Sequence, residues 1–138
     1  PGRSLVGNSG ILVSKIQYIK RGENKYFIIL DAGMNDFMRP ALYDARHEII
    51  PINKLTKKLS GNIEFVGPIC ESTCKFTKYK NYTKINEGDF IAITNTGAYG
   101  SSLSSNYNTR PLIAEILVSK NKFKIIRKKQ DLLKLINS

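Results

Sequence analysis

The sequence is short of the residues from which cross-links and metal sites are made. Cys70 and Cys74 are its two cysteines in 138 residues, too few for a disulfide scaffold. A zinc site takes about four ligands, and His47 is the sole histidine, so no metal is expected. No apolar run reaches the roughly 18 residues that a membrane span requires. The opening Pro1-Gly2-Arg3 soon turns polar, unlike a secretory signal. An initiator methionine is missing as well, so the chain reads as a piece of a longer protein. These absences point to a reducing, cytoplasmic setting without a membrane partner.

Acidic residues are also scarce. Eleven Asp and Glu face 22 Lys and Arg, which leaves a formal net charge of +11. Such a balance raises nucleic acid as a partner. However, the lysines are scattered, with one modest cluster at Lys120, Lys122, Lys124, Arg127, Lys128 and Lys129. No RNA-binding aromatic motif, zinc finger or helix-turn-helix pattern accompanies them, and charge alone does not specify a partner. No nucleic-acid partner is expected.

What is present suits one ordinary domain with its own core. Residues 11–20, ILVSKIQYIK, alternate imperfectly and predict a strand with a bulge. A turn at 22–25 and the apolar run 26–30 complete a hairpin. Residues 31–36 read as a loop. Residues 37–45 read as a short helix with Pro40 in its first turn. A short extended segment spans 47–52, a basic polar loop 55–62, and a strand 63–66. Residues 86–89 form a turn before a strand at 90–94, and 97–108, rich in Gly, Ser and Asn, form a long loop. Strands at 112–118 and 122–126 flank a turn, and 128–136 fits a short amphipathic helix. The fold class expected is mainly β, an antiparallel sheet or Greek-key-like barrel with short helices.

Four loops hold residues capable of chemistry. In Pro1-Gly2-Arg3-Ser4, glycine permits close backbone approach and arginine can clamp a carboxylate or phosphate. A plain turn with a surface arginine is the simpler account of those residues alone. In Met38-Arg39-Pro40-Ala41-Leu42-Tyr43, Arg39 and Tyr43 stand four apart, which brings them to one side of a helical turn. Ordinary helix surface would look the same. In Gly67-Pro68-Ile69-Cys70-Glu71-Ser72, a thiol beside a carboxylate suits proton transfer, although a lone cysteine also serves as a small core residue. Cys74 lacks a companion feature and reads as structural. In Thr96-Gly97-Ala98-Tyr99-Gly100, two glycines bend the chain around Tyr99, whose hydroxyl can serve a phosphate or whose ring can pack.

Taken in order, PGRSLVGNSG, DAGMNDFMRPALYDARHEI, VGPICES and TGAYGSSLSSNYNTRPLIAEILV resemble the C-terminal half of diaminopimelate decarboxylases from Pro1 to about Val118. Related decarboxylases of basic amino acids share the Gly-Ala-Tyr and cysteine loops. The CES triplet and the SSNYNTRP run resemble the diaminopimelate branch in particular. Thr73-Cys74 departs from the Gly-Asp that relatives often carry after CES, which bears on the shape of that loop.

The resemblance implies a fold-type III pyridoxal 5'-phosphate enzyme. Its N-terminal α/β barrel would carry the Schiff-base lysine, and residues 1–138 would be its C-terminal β domain, short of a strand that the family borrows from its far N-terminus. The implied reaction converts meso-diaminopimelate to L-lysine and carbon dioxide. By motif, Pro1, Gly2 and Arg3 fall in the family's EPGR phosphate turn, whose Glu is absent here. Tyr99 would touch cofactor and substrate. Arg3, Arg39 and Tyr43 would bind substrate, Glu71 its remote amino group, and Cys70 would be the proton donor. The Cys70-Glu71 loop would enter the partner's site in a homodimer, and this chain alone would be inactive. Two alternatives stand beside this reading. One is a decarboxylase of arginine, ornithine or carboxynorspermidine, which would need no grip on a remote carboxylate. The other is a non-catalytic basic binding domain.

Overall fold

The computed structural model describes residues 1–53 and 57–137. Alternation along the first long apolar segment produces β1 (Leu12–Arg21), in which Leu12, Ser14 and Ile16 point inward and their neighbours face out. The expected bulge is present as a register shift between Ile16 and Tyr18 in the pairing of β1 with β2 (Lys25–Leu30). Glycine at position 22 donates its N–H to the Lys25 carbonyl and closes the hairpin.

The chain next forms α2 (Arg39–Tyr43) and β3 (Ile49–Pro51), α1 (Gly2–Val6) having opened it. Pro40 lies in the first turn of α2, where its missing N–H costs nothing. Three further strands complete the main sheet, β4 (Lys58–Val66), β5 (Lys75–Thr83) and β6 (Phe90–Ile93), and β7 (Glu115–Ser119) belongs to a separate two-stranded sheet. β8 (Lys122–Arg127) pairs with β7, and α3 (Leu132–Ile136) follows. Among the described residues, no helix is long and apolar enough to cross a membrane.

Six strands form one sheet in the order β3-β6-β1-β2-β4-β5. Its ladders are antiparallel except that of β2 with β4, which is parallel. That parallel pair arises because the chain leaves β2, builds α2 and β3 at the far edge, and returns to run beside β2. The expectation of a mainly antiparallel, barrel-like sheet with short helices therefore holds. The two edges of the sheet also meet. From β5, Tyr79 and Tyr82 donate their hydroxyls to the Ile49 carbonyl of β3 at 3.5 and 2.8 Å, and the Ile49 N–H donates to Tyr79 Oη at 2.8 Å. Burial pushes the Tyr82 phenol far above its ordinary range, so it stays a donor.

Inside the curl lies a single cluster that includes Ile16, Ile28, Leu30, Phe37, Ile63, Phe65, Ile91 and Ile93, all essentially excluded from water. Each such side chain contributes about 1.5–3 kcal/mol through burial. The rings of Tyr79 and Tyr82 meet Phe65 edge to face, with centroids 5.9 and 5.1 Å away.

Three sequence expectations need correction. Residues 58–62, read as loop, belong to β4, where Lys58, Leu59 and Ser60 pair with Thr83, Tyr82 and Asn81. Their polarity reflects an end of the strand that is largely open to solvent. Leu55 and Thr56, part of the same expected loop, lie outside the described residues. β5 was not foreseen, because four lysines lie in or beside it, Lys75, Lys78, Lys80 and Lys84, and its inward positions, Phe76, Thr77 and Tyr79, do not keep a single period of two. The opening Pro1-Gly2-Arg3-Ser4 is largely helical rather than a plain turn.

Candidate functional site

Two glycines bring the first and fourth chemical loops together. The Thr96 N–H donates to the Gly10 carbonyl at 2.9 Å and the Gly97 N–H to the Gly7 carbonyl at 3.0 Å. A Cβ on Gly97 would stand 2.1 Å from the Val6 carbonyl oxygen, and one on Gly10 would stand 2.6 Å from Gly97 Cα. Neither position tolerates a side chain without backbone movement. The contact fixes the end of α1, which carries exposed Arg3, against the loop that carries Tyr99. Tyr99 itself adopts a left-handed φ of 58°, and its ring is half exposed.

α2 supplies the next component. Arg39 is 8% exposed, and its guanidinium carbon lies over two aromatic rings, 5.7 Å from the centroid of Tyr43 and 5.8 Å from that of Tyr99. The spacing of four between Arg39 and Tyr43 thus does what the sequence suggested. Arg39 Nε–H donates to His47 Nε2 at 3.4 Å, and His47 Nδ1 faces the Thr94 carbonyl at 2.9 Å. Burial lowers the pKa of His47. The Thr94 carbonyl opposes that shift, while the positive charges of Arg39 and Arg3 reinforce it. Among the described residues, neither Arg39 nor Arg3 forms an ion pair with a carboxylate. A nearly buried guanidinium without a counter-charge is costly, and the charge of a second, exposed arginine, Arg3, reaches the same histidine.

The Cys70-Glu71 loop makes a separate cluster. Cys70 is an exposed free thiol, whereas Cys74 is buried and accepts the Met34 N–H at 3.4 Å. Cys70 is thus open to solvent, while Cys74 is packed in the interior. Glu71 is exposed and accepts from Tyr107 Oη at 2.5 Å. No hydrogen bond, ion pair or ring contact among the described residues joins Cys70 or Glu71 to Arg39, Tyr43 or Tyr99. Pro1 and Gly2, also expected near a phosphate, lie at the exposed start of α1.

Arg110 braces the long loop that follows Tyr99. It donates from Nη2 to the Asp31 carbonyl at 2.6 Å and from Nε to Asn35 Oδ1 at 3.1 Å, and its Nη2 lies 3.7 Å from Asp36 Oδ2. Asp36 is buried, which raises its pKa, while the Gly33 N–H, Arg110 and Asn35 oppose the rise. Sequence reasoning did not single out His47, Tyr107 or Arg110. His47 served there only to argue against a metal. The other two lie within the SSNYNTRP run, whose wording carried the resemblance without assigning roles.

Known proteins resemble this chain in both sequence and fold. The family model described as pyridoxal-dependent decarboxylase, C-terminal sheet domain, matches residues 5–97. Among curated relatives, diaminopimelate decarboxylase of Neisseria meningitidis serogroup A is 48% identical over 133 residues, covering 96% of this chain and 32% of its own length. That of Helicobacter pylori strain J99 is 45% identical over 132 residues, covering 96% and 33%. The chain thus spans about a third of the length of the curated relatives it matches. Among solved structures, M. jannaschii diaminopimelate decarboxylase in complex with L-lysine superposes with a TM-score of 0.93 at 39% identity, covering 99% of this chain and 31% of that one. With most of its length matched by the family model, the chain belongs to the pyridoxal-dependent decarboxylases, as their C-terminal sheet domain.

Proposed function

We propose that residues 1–138 are the C-terminal domain of a diaminopimelate decarboxylase, which forms L-lysine and carbon dioxide from meso-diaminopimelate. The observation that carries this reading is Arg39, nearly buried, within 6 Å of two tyrosine rings and lacking an acid among the described residues. A substrate carboxylate supplies the missing charge, and the planar guanidinium matches it in a way that an ammonium cannot. Arginine, ornithine and carboxynorspermidine decarboxylases have less use for such a grip. The CES triplet and the names of the relatives favour the same substrate.

The residues also fit pyridoxal 5'-phosphate. Arg3 is exposed and, among the described residues, without an ion pair, and the Tyr99 ring stands half exposed on the adjoining loop. Pro1, Gly2, Arg3 and Tyr99 would hold the group, which supplies an electron sink for loss of carbon dioxide when bound. Arg39, Tyr43 and Arg3 then orient the substrate by its remote carboxylate, and Glu71 pairs with its remote ammonium group. Cys70 delivers a proton from Sγ to the carbon that has lost carbon dioxide.

The cofactor-linking lysine belongs to an α/β barrel elsewhere in the full-length protein, and this chain alone is inactive. We also assign the Cys70-Glu71 loop to the site of a partner subunit. That no hydrogen bond, ion pair or ring contact among the described residues joins the loop to the Arg39 cluster favours a homodimer with shared sites. The two free thiols suit a reducing cytoplasm.

The test is carbon dioxide release by the full-length protein. Meso-diaminopimelate should be turned over well ahead of arginine, ornithine and carboxynorspermidine, and the isolated chain with added cofactor should release none. Preference for a substrate without a remote carboxylate would sink the reading.

A further inference from the structure

We infer that His47 is a positioning residue that fixes the direction of the Arg39 guanidinium, and that it does so only as the neutral imidazole protonated on Nδ1. The inference rests on the reading of Arg39 as the carboxylate grip.

The geometry allows one arrangement of protons. The Thr94 carbonyl can only accept, so His47 Nδ1, 2.9 Å away, must carry a hydrogen. Arg39 Nε–H can only donate, so His47 Nε2, 3.4 Å away, must offer its lone pair. The ring is held between these two groups and meets Phe37 edge to face, with centroids 4.6 Å apart and planes at 81°. His47 is itself 8% exposed, and Phe37 is fully buried. Occupying Nε has a direct consequence for Arg39. It turns the remaining fork, Nη1 and Nη2, away from the imidazole and leaves both amino groups for a carboxylate. The guanidinium carbon lies near the Tyr43 and Tyr99 rings, and the bond to His47 sets the direction in which the guanidinium points.

The same geometry makes the hold sensitive to protonation. A second proton on the imidazole would replace the acceptor at Nε2 with a donor facing Arg39 Nε–H, so the bond would become a repulsion. The charged groups that act on the ring, Arg39 from α2 and Arg3 from α1, are both positive and oppose that proton, as does burial. The titration therefore falls below the ordinary histidine value of about 6.5. Arg39 is held in place at neutral pH and released as pH falls through the value in the folded protein.

The test uses the full-length protein. His47→Leu should raise KM for meso-diaminopimelate about tenfold or more while leaving kcat within a few fold, the pattern of lost substrate orientation. His47→Gln, whose amide offers one donor and one acceptor, should recover most of that loss. In the wild type, KM should climb as pH is lowered below the ordinary histidine value of about 6.5, and this limb should vanish in His47→Gln. An unchanged KM in His47→Leu, or an acid limb that persists in His47→Gln, overturns the inference. A second readout is independent of the substrate. In ¹⁵N spectra of the imidazoles, the signal absent from His47→Gln should show the Nδ1–H tautomer and titrate below about 6.5. A proton on Nε2, or titration at or above that value, overturns the inference even if His47→Leu fails to fold. Should the wild type prove inactive toward meso-diaminopimelate, the substrate reading fails, and the spectra still decide for or against His47.

Discussion

The phenol of Tyr107 donates to the Glu71 carboxylate across 2.5 Å and ties the cysteine loop to the loop that follows Tyr99. The hydrogen bond to Glu71 and the nearby carboxylate charge raise the Tyr107 pKa, so the phenol keeps its proton throughout the working range. Tyr107→Phe removes the donor and little else. In the full-length protein it should raise KM for meso-diaminopimelate several-fold with a small change in kcat, because Glu71 is left free to rotate. Steady-state kinetics decide the matter. A wild-type KM would separate Tyr107 from the site.

Arg39→Ala should cost far more. Truncating one partner of a buried charge pair typically costs on the order of 2–5 kcal/mol, most of it in substrate binding. Arg39→Lys should recover little. A lysine ammonium can neither form the planar fork nor donate to His47 from the place of Nε. Equal KM values for wild type and Arg39→Lys would argue that Arg39 contributes charge alone.

The two cysteines should separate cleanly. Cys70→Ala removes an exposed thiol and should slow turnover by about 10²–10⁴-fold, the usual worth of a general acid, with cofactor binding retained. Cys74→Ala should leave turnover nearly unchanged and lower stability slightly, since its sulfur is buried and within reach of the Met34 N–H. Mixing Cys70→Ala subunits with subunits lacking the cofactor lysine tests the shared site. One of the two sites in each heterodimer then holds both intact groups, so some activity should return. Heterodimers that form without any return of activity would show that each chain completes its own site.

Gly97→Ala tests the joint between the first and fourth loops. The added methyl group would overlap the Val6 carbonyl oxygen. Overpacking of this kind typically costs about 1–3 kcal/mol. The strain falls on α1 and on the Tyr99 loop together, so cofactor affinity should drop along with thermal stability. Gly88→Ala provides the contrast. It has a left-handed φ of 88° yet meets no neighbouring atom, so it should cost stability without touching cofactor affinity.

Much of this arrangement was legible in the sequence where side-chain period and backbone chemistry agreed. The β1–β2 hairpin, with its bulge, could be read from ILVSKIQYIK and the turn after it, because alternation and glycine point the same way there. Arg39 and Tyr43 could be paired because helical spacing is rigid over one turn. β5 was not legible. Its solvent face is lined with lysine and its pairing with β4 slips twice, which blurs a period of two. His47 was illegible for another reason. Its role depends on Thr94, forty-seven positions away, and no local pattern encodes that contact. The separation of Cys70 from Arg39 within one chain is likewise a property of the folded sheet and not of any motif.

The tyrosine seam between β5 and β3 gives the sheet an order of opening. Every other junction in it is a backbone ladder backed by apolar packing, and some ladders link distant parts of the chain, such as Leu12 with Ile93. Pairings of such range form slowly. The seam instead depends on two phenol groups and a single residue, Ile49. It is the cheapest junction to break and leaves two strand edges exposed when it parts. The Ile49 amide should therefore exchange with solvent ahead of the amides of β2 and β4, and the cylinder should unroll from that line.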